Sequence, residues 1–217
     1  MVRKWLFRMA KSPWMGKIVG FAFQYMSRLI PVKRIVSNKE VFIFAHPQPC
    51  YPHHLILSPK RPVRSLQQLA AEPSYFTAIW SAAMAVHAGQ PEIDRAFTLA
   101  ANGGKRQEVQ QVHFHMFTDH PLVTENAEKE NGAAVFYQNE KICILKPAHP
   151  EWDIHLVIRS VSSARDDYLS GVLRCIDGLD AQFGIVQQGY SLVYQHNPRK
   201  NDQAMPVFHI VSGKKRA

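Results

Sequence analysis

The apolar and polar positions along the chain fall into two successions of similar elements. Short apolar runs at residues 41–45 and 55–58 flank the proline-rich stretch HPQPCYPHH and predict two strands with their connection. Residues 66–87, LQQLAAEPSYFTAIWSAAMAVH, have helical spacing. Pro73 predicts a break within them, because proline lacks an amide hydrogen and its ring collides with the preceding turn. Strands are expected at 97–101 and 109–118, with NGGKR as the turn between them.

The second succession repeats the first. Apolar runs at 142–145 and 155–158 surround KPAHPEWD, the segment RDDYLSGVLRCIDGLDAQF has helical period, and strands are expected at 190–194 and 207–211 around HNPRKNDQAMP. PHHLILSP lies over WDIHLVIRS, and VHFHMFTD over VFHIVSG, at an offset of 94 to 101 residues. This predicts an α+β fold made of two copies of one unit, packed as an intrachain pseudo-dimer that shares an antiparallel sheet with flanking helices. The units are expected at 40–122 and 133–213, with a linker at VTENAEKENG, 123–132.

Charge sets the N-terminal segment apart. The chain has 26 Lys and Arg against 17 Asp and Glu, a net charge of +9. Nine of those cations, and no acid, fall in residues 1–39, so the remainder is neutral. From Ser12, a candidate N-cap, and Pro13 onwards this arm reads as an amphipathic helix, with Met15, Ile18, Val19, Ala22, Met26, Leu29 and Ile30 on one face. Its longest apolar run, 18–23, is far short of the roughly 20 residues a bilayer requires. Trp5, Phe7, Trp14, Phe21 and Tyr25 beside its cations fit either packing on the protein's own domain or an anionic membrane surface contacted through residues 1–30. A neutral body argues against a long cationic groove for nucleic acid. Cys50, Cys143 and Cys175 form no paired spacing and suggest neither disulfides nor a cysteine zinc site, as expected of a cytoplasmic protein.

The candidate chemistry lies in QEVQQVHFHMF, residues 107–117. In a strand, Val109, Gln111, His113 and His115 share one face, and Val112, Phe114 and Met116 share the core face. Three readings of the imidazole pair are open. It is a hydrogen-bonded structural pair, or it supplies two metal ligands with a third from His53, His54, Asp119 or His120, or it is a nucleophile attacking phosphorus with its neighbours holding the phosphoryl oxygens.

The same residues resemble the signature of the histidine-triad (HIT) superfamily, Q-x-V-x-H-x-H-x-H followed by two apolar residues, with Gln111 in place of the first histidine. IFAHPQPCYPHHLILSPKR, residues 43–61, is similar to that family's first hairpin, with Pro52, His54, Pro59 and Lys60 matching its P-x-H and P-K elements. The close match covers about residues 41–118. The second half resembles a degenerate copy whose QAMPVFHIV retains only His209, and the whole resembles the tandem galactose-1-phosphate uridylyltransferase and diadenosine-polyphosphate phosphorylase branch.

The resemblance implies a nucleotide hydrolase or nucleotidyl transferase that works without a metal or other cofactor. A histidine attacks the α-phosphate to give a nucleotidyl-histidine, which water or another acceptor resolves. Substrates of the dinucleoside polyphosphate or nucleoside phosphoramidate class are implied. Matching on Gln107, Val109 and His115 makes His113 the nucleophile, whereas counting from Asn102 without gaps makes it His115. Asn102 and Gln107 stand at phosphate-contacting positions, His46 where the family binds ribose, and His54 beside them. Gln111 can orient the nucleophile or hold an oxygen but cannot transfer a proton, which leaves His115 to protonate the leaving group. Two other functions stay open: a nucleotide-binding regulatory protein that has lost turnover through Gln111, and a metal-dependent enzyme using His113 and His115 as ligands.

Overall fold

The structure, a computed structural model, describes residues 34–37, 39–89, 96–123, 133–197 and 205–216. The expected arm helix and all but the first residue of the expected linker lie outside them.

Each half supplies five strands to one antiparallel sheet. The first half contributes β1 (Arg34–Ser37), β2 (Val41–Ala45), β3 (Leu55–Pro59), β4 (Phe97–Gly103) and β5 (Phe114–Thr118). The second contributes β6 (Ala134–Gln138), β7 (Ile142–Lys146), β8 (Trp152–Ser160), β9 (Tyr190–His196) and β10 (Phe208–Lys215). Their order is β1-β2-β3-β5-β4-β9-β10-β8-β7-β6, so the halves have the same strand order and meet where β4 pairs with β9. One row of cross-strand partners runs Phe44, Ile56, His115, Ala100, Val193, His209, Val157, Leu145 from β2 to β7. Directly paired residues share a face, so His115 and His209 lie on one side of the sheet at equal distances from the junction.

The opposite side carries the core. Ile43, Leu57, Leu99, Phe114, Met116, Leu156, Ile158, Leu192 and Ile210 are buried there against α1 (Leu66–Ala70), α2 (Pro73–Gly89) and α3 (Arg165–Phe183). Ser65 caps α1 by accepting the Gln68 amide, and Pro73 opens α2, where a missing amide hydrogen leaves no bond unmade. Asp166 and Asp167 lie at the positive end of α3, and Gly184, at φ 61°, ends it in the left-handed conformation before the short α4 (Ile185–Gln188). No helix among the described residues is long and apolar enough to cross a membrane.

Two expectations need refinement, and one strand was not expected. Arg34–Ser37, counted with the arm by its charge, is a strand paired with β2, and β6 had no sequence signal strong enough to predict it. The strand expected over 109–118 begins only at Phe114. Upstream, the chain folds against the segment after β3, with the Val112 amide donating to the Val63 carbonyl at 2.7 Å and the Ser58 hydroxyl to the Val112 carbonyl at 2.9 Å. Pro59 cannot donate to a ladder, so β3 and β5 separate there.

The turn after β4, Gly104–Arg106, sits tightly against α4. Gly104 has φ 57°, and a Cβ there would collide with the Val186 carbonyl, whereas a Cβ on Gly178 in α3 would meet open space. Gly104→Ala is therefore expected to destabilise the fold by ~1–3 kcal/mol, and Gly178→Ala to stabilise it by about 0.5–1 kcal/mol. Denaturant midpoints of the two variants, shifting in opposite directions, check this.

Candidate active site

A closed loop brings the imidazoles together. The His46 amide donates to the His54 carbonyl at 2.8 Å, and the Thr118 amide donates to Pro52 at 3.2 Å, which holds the loop 46–54 on β5. Within the loop, the Gln48 amide donates to Nδ1 of His46 at 3.1 Å and the Cys50 amide to Nδ1 of His54 at 3.4 Å. His53, at φ 47°, takes the left-handed turn that leads His54 inward. His46 stacks on His54 with ring centroids 4.1 Å apart, and His54 Nε2 lies 2.9 Å from His115 Nδ1. His113, whose ring is 4.9 Å from that of His115, has its Nδ1 2.8 Å from the Gln111 carbonyl oxygen.

These partners fix where the ring protons sit. A carbonyl can only accept, so Nδ1 of His113 carries the proton and its Nε2 holds a lone pair. Nδ1 of His54 accepts from an amide, so its proton is on Nε2 and points at Nδ1 of His115. His115 in turn keeps its proton on Nε2. The result is a lone pair on His113 Nε2 beside N–H groups on His115 and, by the same rule, on His46.

Electrostatics keeps the group neutral. Burial, followed by the neighbouring His113, His54 and His46, pushes the His115 imidazole down to about 2. Burial, followed by His46 and His113, brings His54 down to about 4. His46 and His113 are also lowered, in each case first by desolvation. His115 is thus a neutral N–H donor at pH 7.

Two glutamines take roles other than those expected. Gln111 is 1% exposed and does not share the imidazole face. Its Oε1 accepts the Val63 amide at 3.2 Å, and its Nε2 donates to the carbonyls of Pro59 and Arg61, each at 3.0 Å. Its side chain is a strut between two segments, and only its backbone carbonyl reaches the site. Gln107 spends its amide hydrogens on the carbonyls of Arg64 and Val109, so it braces the loop instead of meeting a phosphate.

Asn102 is placed as the sequence suggests, on the imidazole side of the sheet in the register position next to the Ala101–Phe114 pair. Its Oδ1 accepts the Ser191 hydroxyl of β9 at 2.7 Å.

The ligand nitrogens of His46, His54 and His115 lie within 4.8 Å of one another, a spacing a metal ion could use. His113 does not belong to that group, and neither do the other sequence candidates His53, Asp119 and His120. Metal-bound histidines donate their outer N–H to an acceptor, whereas the outer nitrogens of His46 and His54 accept from amides. The donor set therefore fits an anion better than a cation.

The second half holds a matching pair that sequence reasoning only half found. His155 Nε2 lies 3.0 Å from His209 Nδ1, the Glu151 amide donates to Nδ1 of His155 at 3.3 Å, and both rings are buried. The alignment of PHHLILSP with WDIHLVIRS already placed His155 over His54. Val207 precedes β10 where His113 precedes β5, so this pair has no nucleophile beside it.

Two measurements test this description. Unfolded histidines protonate near 6.5, folded His54 near 4 and His115 lower still. Below about 6.5 the unfolded chain thus binds more protons, and stability falls as the pH drops. The urea midpoint is expected to decline between pH 6.5 and 4, less steeply in His54→Gln; a flat profile in the wild type would contradict a neutral cluster. Gln111→Ala strands the buried Val63 amide and is expected to cost ~1–3 kcal/mol in equilibrium unfolding.

Comparison with known proteins bears on the fold. Residues 27–122 match the family described as HIT domain. No curated protein matches the sequence. Among solved structures, an ADP-glucose phosphorylase from Arabidopsis thaliana with bound ADP-glucose is 10% identical, covering 90% of this chain and 82% of that one, with a TM-score of 0.58. A uridylyltransferase is 16% identical over 83% of this chain and 77% of its own, at a TM-score of 0.55. The yeast Ap4A phosphorylase in complex with AMP is 12% identical over 82% of this chain and 57% of its own, at 0.52. Residues 27–122 of the chain thus resemble the HIT domain, and its fold is like that of the uridylyltransferase and phosphorylase structures.

Proposed function

We propose that the protein is a nucleotidyl transferase acting between phosphate groups, with His113 as nucleophile. The observation that carries this reading is the hydrogen bond from His113 Nδ1 to the Gln111 carbonyl, which leaves Nε2 with a free electron pair. The lowered proton affinity of His113 keeps that nitrogen unprotonated at neutral pH. Attack on the α-phosphorus forms an Nε2–P bond and breaks the P–O bond to the leaving group. The substituted ring is then a cation, and its Nδ1–H donates more strongly to the Gln111 carbonyl. An acceptor oxygen next attacks phosphorus, the P–N bond breaks, and His113 returns neutral. His115 Nε2–H and the Asn102 amide are the donors for the phosphoryl oxygens.

The protonation states narrow the substrate. The Gln111 side chain has no hydrogen to spare, and burial disfavours a charged His115, so neither favours protonation of a poor leaving group. An amine released from a phosphoramidate needs such a proton, whereas a phosphate released from a phosphoanhydride does not. Nucleoside diphosphate sugars and dinucleoside polyphosphates therefore fit, and an acceptor that is already an oxyanion fits better than water. ADP-glucose and AMP are bound in two of the structures of similar fold. The mirrored strand order, together with the second imidazole pair beside Val207, supports a duplicated chain, 40–122 and 133–213, with one reactive site in the first unit.

Intact-mass analysis after incubation with a nucleoside diphosphate sugar, a dinucleoside polyphosphate or a nucleoside phosphoramidate tests this reading. A gain of one nucleoside monophosphate is expected with the first two, absent in His113→Ala, and discharged faster by inorganic phosphate than by water. An adduct that survives in His113→Ala but not in His115→Ala would move the nucleophile. Nucleotide binding with no adduct in the wild type would leave the regulatory reading standing in place of this one.

A further inference from the structure

We propose that Ser191 and Arg106 are positioning residues that hold the Asn102 amide toward the phosphoryl group, so that the site on the first half is completed by the second. This rests on the reading above, in which Asn102 meets that group. Ser191 and Asn102 are direct cross-strand partners in the β4–β9 ladder that joins the halves. Nη1 of Arg106 donates to Ser191 Oγ at 3.3 Å, and the Ser191 hydroxyl donates to Asn102 Oδ1 at 2.7 Å. The buried hydroxyl already accepts from a cation, so its own hydrogen is directed at the asparagine oxygen. With Oδ1 held there, the two N–H bonds of the amide must point away from β9. An unheld asparagine would spend part of its time flipped, offering its oxygen to an anion.

Arg106 is itself anchored in the second half. Its Nη2 donates to the Gly213 carbonyl at 2.5 Å, Nη1 reaches the Val211 carbonyl at 3.4 Å, and the guanidinium lies 5.1 Å from the Trp152 ring centroid. Gly189 makes room for it: at φ 81°, a Cβ there would stand 2.7 Å from the Arg106 backbone nitrogen. A partly buried cation thus lies two hydrogen bonds behind Asn102 and favours an anion in front of it.

The test combines kinetics with side-chain amide spectra of the full chain. Ser191→Ala is expected to lower kcat about 10- to 100-fold, the cost of a misplaced contact, with little change in KM or in the unfolding midpoint, and Ser191→Thr to restore most of the loss. Added to Asn102→Ala, Ser191→Ala should cost nothing further, because both act through one amide. Equal losses in both backgrounds, or a changed unfolding midpoint with intact kcat, would overturn the proposal. If the wild type turns over none of the nucleotides tested, the preceding reading fails, and the Asn102 15N–1H2 signals, identified by their loss in Asn102→Ala, decide this one alone. They are expected to be sharp and displaced from free-amide values in the wild type, and to collapse toward those values in Ser191→Ala. Signals unmoved by that substitution would refute the positioning role whatever the activity.

Discussion

The pairing of β4 with β9 is the constraint from which the rest of the arrangement follows. Each half alone would end in an open edge at a largely buried strand, with unpaired amides and carbonyls beside a half-covered core. Joining the two edges satisfies that ladder and lets α1, α2 and α3 cover one continuous apolar face. It also sets Asn102 opposite Ser191. The strand that closes the core therefore also supplies the hydroxyl that turns the amide outward.

Around that junction the site works with neutral groups. Burying several histidines together disfavours charge on each, and the amides of Gln48 and Cys50 settle which ring nitrogen keeps its proton. In the proposed reaction the cluster offers directed N–H bonds to the phosphoryl oxygens. The second half keeps the paired imidazoles His155 and His209 without a nucleophile, buried and hydrogen-bonded to each other.

Much of the fold was legible because hydrophobic periodicity is local. The helix over 165–183 and the central strands followed from spacing, and the break at Pro73 from proline's missing amide hydrogen. Edge strands β1 and β6 escaped, since an edge strand buries little and shows little periodicity; β6 is mostly exposed. The start of β5 was misplaced for a different reason. Alternation over 109–118 was present, but Pro59 ends the partner ladder and the chain turns to follow the residues after it. That turn sends the Gln111 side chain inward, away from the face that alternation assigned to it.

By itself the sequence showed two similar successions of apolar runs, a basic first 39 residues, and the spacing of His113 and His115 and of His46 and His54. These depend on residue type and short spacing. The tertiary structure decided the proton positions on the rings, the strut role of Gln111, the brace role of Gln107 and the hold of Ser191 on Asn102. Each of these is a directional hydrogen bond, several of them between residues 43 to 89 positions apart, and no local pattern specifies the direction of a donor that arrives from another part of the chain.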